Sequence, residues 1–230
     1  MDQLFLAMAE ELKLPLQQMA RQAELQLLVQ EPAAEGLRSI QRSADMTLRL
    51  LDSYLLSLRL SMMPTASLEL EPVSLSAVLH DTAAELRHIA QSYGVTLQLH
   101  VQGRYEPVLA HRQALQSALM ALGYALIEAL PATGVRQQRL QLATHRTRQG
   151  IVAGVYGELD GLTPQALRQA RVLQGYVRQP LVGLLSGSGA GVFVADAILT
   201  AMESQLRVGR FMKLPGFAVT LPASHQLQLV

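Results

Sequence analysis

The chain contains no cysteine and no tryptophan, and aromatic residues fill 4% of its 230 positions. Without cysteine there is no disulfide, no thiol nucleophile and no Cys-ligated zinc, and the absence fits a reducing, cytoplasmic address. So few aromatics leave little surface on which nucleic-acid bases could stack. Charge of one sign is lacking too: nineteen Lys and Arg against eighteen Asp and Glu give a formal +1. That is too weak a field to gather phosphate polymers or anionic lipid. Apolar runs are short and broken by Gln, Arg or Gly, so none reaches the roughly 18 residues of a membrane span. Met1-Asp2-Gln3 lacks the positive leader of a signal peptide. Half of the residues are apolar and only 16% charged, which excludes bulk disorder and assures a buried core. The expectation is a globular cytoplasmic protein of one large or two small domains, with no nucleic-acid partner and no membrane partner.

The first sixty residues carry two helical stripes. Phe5, Met8, Leu12, Leu16, Met19, Ala23 and Leu27 recur at spacings of three and four, and Leu37, Ile40, Ala44, Leu48, Leu51, Leu55, Leu58 and Met62 repeat the pattern. Glu31-Pro32 and Gly36 supply the break between them. Each helix would run for about 40 Å at 1.5 Å per residue. Leu4, Leu6, Leu28, Leu50 and Leu56 widen the stripes beyond a two-helix seam. A second copy would cover this surplus as a dimeric four-helix bundle; the alternative cover is the chain's own C-terminal part. Pro15 stands in mid-helix, where it removes a backbone hydrogen bond and bends the axis.

From Ser67 onward the texture is mixed. Leu68-Glu69-Leu70-Glu71 alternates like a short strand, Ser74 or Ser76 can cap a helix reaching Ser92, and Gly94 can end it. Val95 to Val101 alternates as a strand, and residues 111–130 read as an apolar helix closed by Pro131 and Gly134. Arg139–Thr144 and Ile151–Val155 read as strands joined by a turn at Thr147-Arg148-Gln149-Gly150. Thr163-Pro164 opens a helix through about Gln174. A glycine-rich stretch, Gly183–Gly191, precedes a helix over roughly 191–203, and strands follow near 205–209 and 216–221. This order predicts an α+β chain: a helical hairpin over 1–65, then an α/β sandwich over 66–230 with helices layered on one sheet face.

Several landmarks then fall in register. Glu11-Leu12-Lys13-x-Pro15-Leu16, Leu70-Glu71-Pro72-Val73-Ser74-Leu75, Gly187-Ser188-Gly189-Ala190-Gly191 and Val219-Thr220-Leu221-Pro222 together resemble the transmitter core of a bacterial sensor histidine kinase. In that order they look like the tail of its H-box, its interdomain segment, its glycine box and its closing strand. The resemblance implies a HisKA-like dimerisation hairpin followed by a Bergerat-type (GHKL) ATP-binding domain, and covers residues 5–222. It also implies a response-regulator receiver domain as partner, docked on the bundle around Glu10, Glu11, Leu12, Lys13, Leu14, Leu16 and Gln17.

The departures from that family are chemical. Its phosphoacceptor His position is Glu10, and no His occurs before His80; a carboxylate lacks the ring nitrogen that forms a phosphoramidate. The Thr that the family associates with phosphatase chemistry is Leu14. The two N-box positions that would hold Mg²⁺ are Ala121 and Ala125, which offer no oxygen ligand. The adenine-reading Asp-x-Gly-x-Gly box falls on Gly157-Glu158-Leu159-Asp160-Gly161, with Glu158 or Asp160 as a displaced acid. Gly187, Gly189 and Gly191 can wrap phosphate at a helix N-terminus or serve only a tight loop. Arg168, Arg171 and Arg178 read as a solvated helix face, with anion holding as the alternative. The histidines show no metal spacing, so neither metal nor cofactor is expected. The reading is a degenerate, dimeric, histidine-kinase-like signalling protein. A residual phosphotransferase, or a small-molecule sensor lined by Ala121, Ala125, Leu159 and Val192, stands as the alternative.

Overall fold

A computed structural model describes residues 68–101, 103, 105–130, 138–159, 161–174, 176, 181 and 189–224, together with Thr47, Ser53 and Leu56. Among these, β1 (Glu71–Val73) leads to Ser74, whose side chain accepts from the Ala77 N–H and caps α1 (Leu75–Ser92). Of the two serines offered as caps, Ser74 is therefore the one used. Gly94, at φ +69°, turns the chain into β2 (Thr96–Val101). β3 (Val108–Ala110) follows, then α2 (Arg112–Ala129), capped by the His111 Nδ1, which accepts from the Ala114 N–H at 3.2 Å. β4 (Arg139–Thr147) and β5 (Gly150–Gly157) form a hairpin through the expected turn. Thr163 caps α3 (Pro164–Leu173) at 3.0 Å, with proline in the first turn. The chain closes through α4 (Ala190–Ala201), β6 (Leu206–Phe211) and β7 (Leu214–Leu221).

The main sheet runs β2-β4-β5-β7-β6, parallel between β2 and β4 and antiparallel elsewhere. A two-stranded ladder of β1 and β3 stands apart and is tied to the chain's end, where Leu109 N–H donates to the Pro222 carbonyl at 3.0 Å. The helices lie on one face. Leu140, Leu142, Ile151, Val155, Phe217 and Val219 point into them and share a core with Leu79, Leu86, Leu115 and Leu119. Each such side chain contributes about 1.5–3 kcal/mol by leaving water. The α1 stripe is one-sided (Leu75, Val78, Leu79, Thr82, Leu86), whereas α2 is buried nearly all round from Ala118 to Ile127. Such a helix is packed on more than one side: α2 lies between α1 and α4.

Thr47, Ser53 and Leu56 are helical, and Leu56 packs against this core. One of the surplus apolar residues of the second N-terminal stripe is thus covered by the same chain. The rest of the hairpin, and with it the dimer interface expected there, lies outside the described residues. No helix among the described residues is long and apolar enough to cross a membrane.

The opposite sheet face carries its own small cluster of Ala143, Val152, Tyr156 and Ala218, covered by Phe211 and Leu214. Phe211 belongs to one outer strand, yet its ring centroid is 5.7 Å from that of His100 on the other. Five strands about 4.8 Å apart would separate those edges by roughly 19 Å, so the tip of the β6–β7 hairpin bends back over the face. Its two turn residues, Met212 and Lys213, have φ of +46° and +73°, the signature of a type I′ turn, which favours Asn-Gly. A left-handed conformation costs such side chains about 1–2 kcal/mol each. Replacing the pair (Met212→Asn with Lys213→Gly) is expected to stabilise the fold by about 1–2 kcal/mol, read as a higher urea midpoint.

Candidate functional site

Three of the positions that the resemblance assigns to a nucleotide, Ala121, Ala125 and Gly191, meet where α2 packs on the start of α4. Ala121 is fully buried and Ala125 nearly so, both beneath Gly191. A Cβ on Gly191 would lie 2.7 Å from the Ala121 carbonyl oxygen and 3.3 Å from the Ala125 Cβ. The two helices therefore touch backbone to backbone, and the absence of a side chain at Gly191, with only a methyl group at Ala125, is what allows it. Gly189 serves differently: it is the N-cap of α4, at φ +68°, a conformation that favours glycine. Gly187 lies outside the described residues, as do Glu10, Glu11, Leu12, Lys13, Leu14, Leu16 and Gln17.

Gly157 ends β5, buried against Leu130, where a Cβ would approach Leu130 Cδ2 to 3.3 Å. Beyond it Leu159 and Leu162 turn inward and join the core, while Gly161 is exposed at φ +75°. The loop is thus anchored by leucines. Glu158, one of the two candidate displaced acids, forms an ion pair with Arg139 at 2.9 Å. That bond engages the carboxylate at the sheet's rim and contributes about 0–1 kcal/mol. Asp160 lies outside the described residues.

The three arginines do not form one solvated face. Arg171 is no solvated residue: its Nε and Nη2 donate to both oxygens of Asp196 at 2.8 and 2.7 Å, and Nη2 also donates to the Leu206 carbonyl at 2.8 Å. The bond to Asp196 raises the guanidinium's pKa further above its already high value. This bidentate clamp joins α3, α4 and β6, and its charge is already matched. Arg168 is exposed, and Arg178 lies outside the described residues. The sequence also gave no hint of Glu128, near the end of α2, whose carboxyl burial pushes above its ordinary range. Its acidic character was visible; the burial of that helix on several sides was not.

This architecture is the fold of a histidine kinase ATPase-like domain, an α+β sandwich with a mixed sheet. The solved histidine kinase AdeS of Acinetobacter baumannii matches 93% of this chain and 98% of its own, with TM-score 0.56 and 15% identity. Full-length ShkA in complex with AMPPNP matches 84% of this chain and 40% of its own, with TM-score 0.56 and 17% identity. Histidine kinase ThkA in complex with the response regulator protein TrrA matches 94% of this chain and 60% of its own, with TM-score 0.54 and 10% identity. No protein-family model matches the sequence, and no curated protein matches it. At such identities the likeness is one of fold.

Proposed function

We propose that this protein is a catalytically degenerate histidine-kinase-like homodimer that acts in two-component-type signalling by binding, with a response-regulator receiver domain as its partner. The observation that carries this reading is the closure of α4 onto α2. Ala121, through its carbonyl oxygen, and Ala125, through its Cβ, both at positions where the family holds Mg²⁺, lie against Gly191 in a contact that leaves no room for a side chain on that glycine. Their side chains carry no oxygen, and Mg²⁺ binding depends on oxygen ligands. Two further features support it. Glu10 replaces the acceptor histidine, and Glu158 is engaged by Arg139 rather than free to read an adenine amino group. The partner class rests on the preserved scaffold and on ThkA, a kinase of similar fold solved with a response regulator. Docking is assigned to the bundle around Glu10 to Gln17.

Calorimetric titration with Mg-ATP, beside incubation with labelled ATP, tests the degenerate reading. The expected result is no heat of binding and no incorporated label. Micromolar binding, or label on the protein, overturns it. Receiver capture by the intact protein tests the partner: Glu10→Lys with Lys13→Glu, both off the apolar stripe, should abolish it, and capture that ignores both substitutions removes the assigned surface.

A further inference from the structure

β6 is an edge of the main sheet: among the described residues it pairs with β7 and with no other strand. Its register shows which of its backbone groups face outward. The two-residue turn at Met212-Lys213 makes the flanking residues, Phe211 and Leu214, a hydrogen-bonded pair. Bonded and unbonded pairs alternate from there. Arg210 and Val208 are therefore unbonded toward β7, and their N–H and C=O groups point to the open side. Two further observations agree. Pro215, opposite Arg210, has no N–H, which such a pair permits. Leu206, next in the same series, accepts at its carbonyl from the Arg171 Nη2 at 2.8 Å, a donor on α3 and not on a strand. That clamp closes one end of the edge. Val208 and Arg210 keep their outward groups, with no backbone partner among the described residues.

The side chains along that edge carry charge of one sign. Arg207 and Arg210 are exposed, and Lys213 is exposed at the hairpin tip. None of the three joins an ion pair among the described residues, and β6 and β7 contain no acidic residue. Arg168 is exposed on α3, which packs against β6. We propose that the β6 edge is a docking site for an extended acidic segment of a partner protein, which adds to the sheet as a further strand. Backbone bonds to Val208 and Arg210 hold the guest, and the arginines select it. Arg207 and Arg210 stand three residues apart and so lie on opposite faces of the strand. The matching guest therefore carries two acids three residues apart, one beside each arginine. Charge at a sheet edge ordinarily guards against pairing, but charge of one sign still admits a strand of the other. It rejects a second copy: every antiparallel register of two β6 strands that joins the free groups sets an arginine opposite or diagonal to its own counterpart or to Lys213. The surface is separate from the N-terminal bundle and does not rest on the receiver-binding reading.

The experiment titrates the full chain into short fluorescein-labelled peptides of threonine and valine, read by fluorescence anisotropy. One peptide carries two glutamates three residues apart, and a second has lysines in their place. Saturable binding is expected for the glutamate peptide, and binding weaker by about tenfold or more for the lysine peptide. Arg207→Glu with Arg210→Glu should reverse that preference, whereas Arg148→Glu, at the exposed β4–β5 turn, should leave it unchanged. Should the doubly reversed variant fail to fold by circular dichroism, Arg207→Gln with Arg210→Gln takes its place, and the preference should vanish. Methylating alternate amide nitrogens of the glutamate peptide tests the strand geometry. Methyl groups on one alternate set should abolish binding, and on the other set leave it. Single-stranded DNA of similar length is the third probe, expected to bind more weakly than the glutamate peptide by about tenfold or more. The site is overturned by no saturable peptide binding, by a preference that survives the substitutions, by indifference to which amides are methylated, or by DNA bound as tightly as the peptide.

Discussion

Gly191→Val is expected to destabilise the fold by about 3 kcal/mol, at the upper end of small-to-large substitutions in a packed core, and to lower the melting temperature by about 6–12 °C. The obstacle is a backbone atom. A Cβ at this position already lies 2.7 Å from the Ala121 carbonyl oxygen, and the two methyl groups of valine add to that overlap. Trimming Ala125 relieves only the 3.3 Å approach, so no neighbouring side chain can give way, and α4 must lift from α2. The region torn open is the densest helix contact in the domain, with Ala118, Ala121, Leu122 and Ala195 all fully buried or nearly so. A glycine retained only to wrap phosphate would behave otherwise: valine would leave the melt unchanged and act on nucleotide affinity alone. Gly189→Ala should cost less, about 1–2 kcal/mol, because its loss is one of backbone conformation, not of space. Scanning calorimetry of the two variants separates these roles, and an unchanged melt for Gly191→Val would refute the packing account.

That contrast shows what sequence patterns convey and what they omit. The glycine box was legible as a motif, but not the reason for each glycine: Gly191 is explained by Ala121, which lies far away in sequence and meets it only across the α2–α4 interface. Local signals carry the element ends. Ser74 and Thr163-Pro164 cap helices where capping chemistry places them, and the turn at Thr147–Gly150 joins β4 to β5. Elements without such signals were lost. β3 is three residues, too short for any alternation to show, held by its ladder to β1 and a bridge from Val108 to Ala223. The strand expected at Leu68–Glu71 begins only at Glu71, since pairing with β3 sets its register. The β6–β7 turn has neither Gly nor Asn at Met212 and Lys213, so each strand runs two residues further into the hairpin than the pattern predicts. His111 caps α2 with a ring nitrogen, and Arg171 looked solvated because Asp196 stands on a different helix.

Raising the pH from 8 to about 12 should cost the folded protein up to about 2.7 kcal/mol through Tyr156 alone. Its ring lies flat on the helix-free sheet face, over Gly154, where a Cβ would collide with its hydroxyl. It also lies beside Gly216, where a Cβ would come within 2.8 Å of its Cδ1. Phe211 stands 5.6 Å away, and Tyr156 is 1% exposed. Burial disfavours the phenolate and pushes the hydroxyl from 10 up to about 12. Below pH 10 both states keep the proton, and the contribution is present in full. Between 10 and 12 the unfolded chain releases the proton while the folded chain retains it, so stability falls as pH rises. Tyr156→Phe keeps the ring and removes the titrating group. Urea unfolding of both proteins at pH 8, 10 and 11.5 isolates the effect, because every other tyrosine and lysine is common to the pair. The variant should gain on the parent steadily above pH 10, by about 2 kcal/mol at pH 11.5. A difference that stays constant from pH 8 to 11.5 would place the Tyr156 hydroxyl in water, and with it would go the picture of a hairpin folded down on this face.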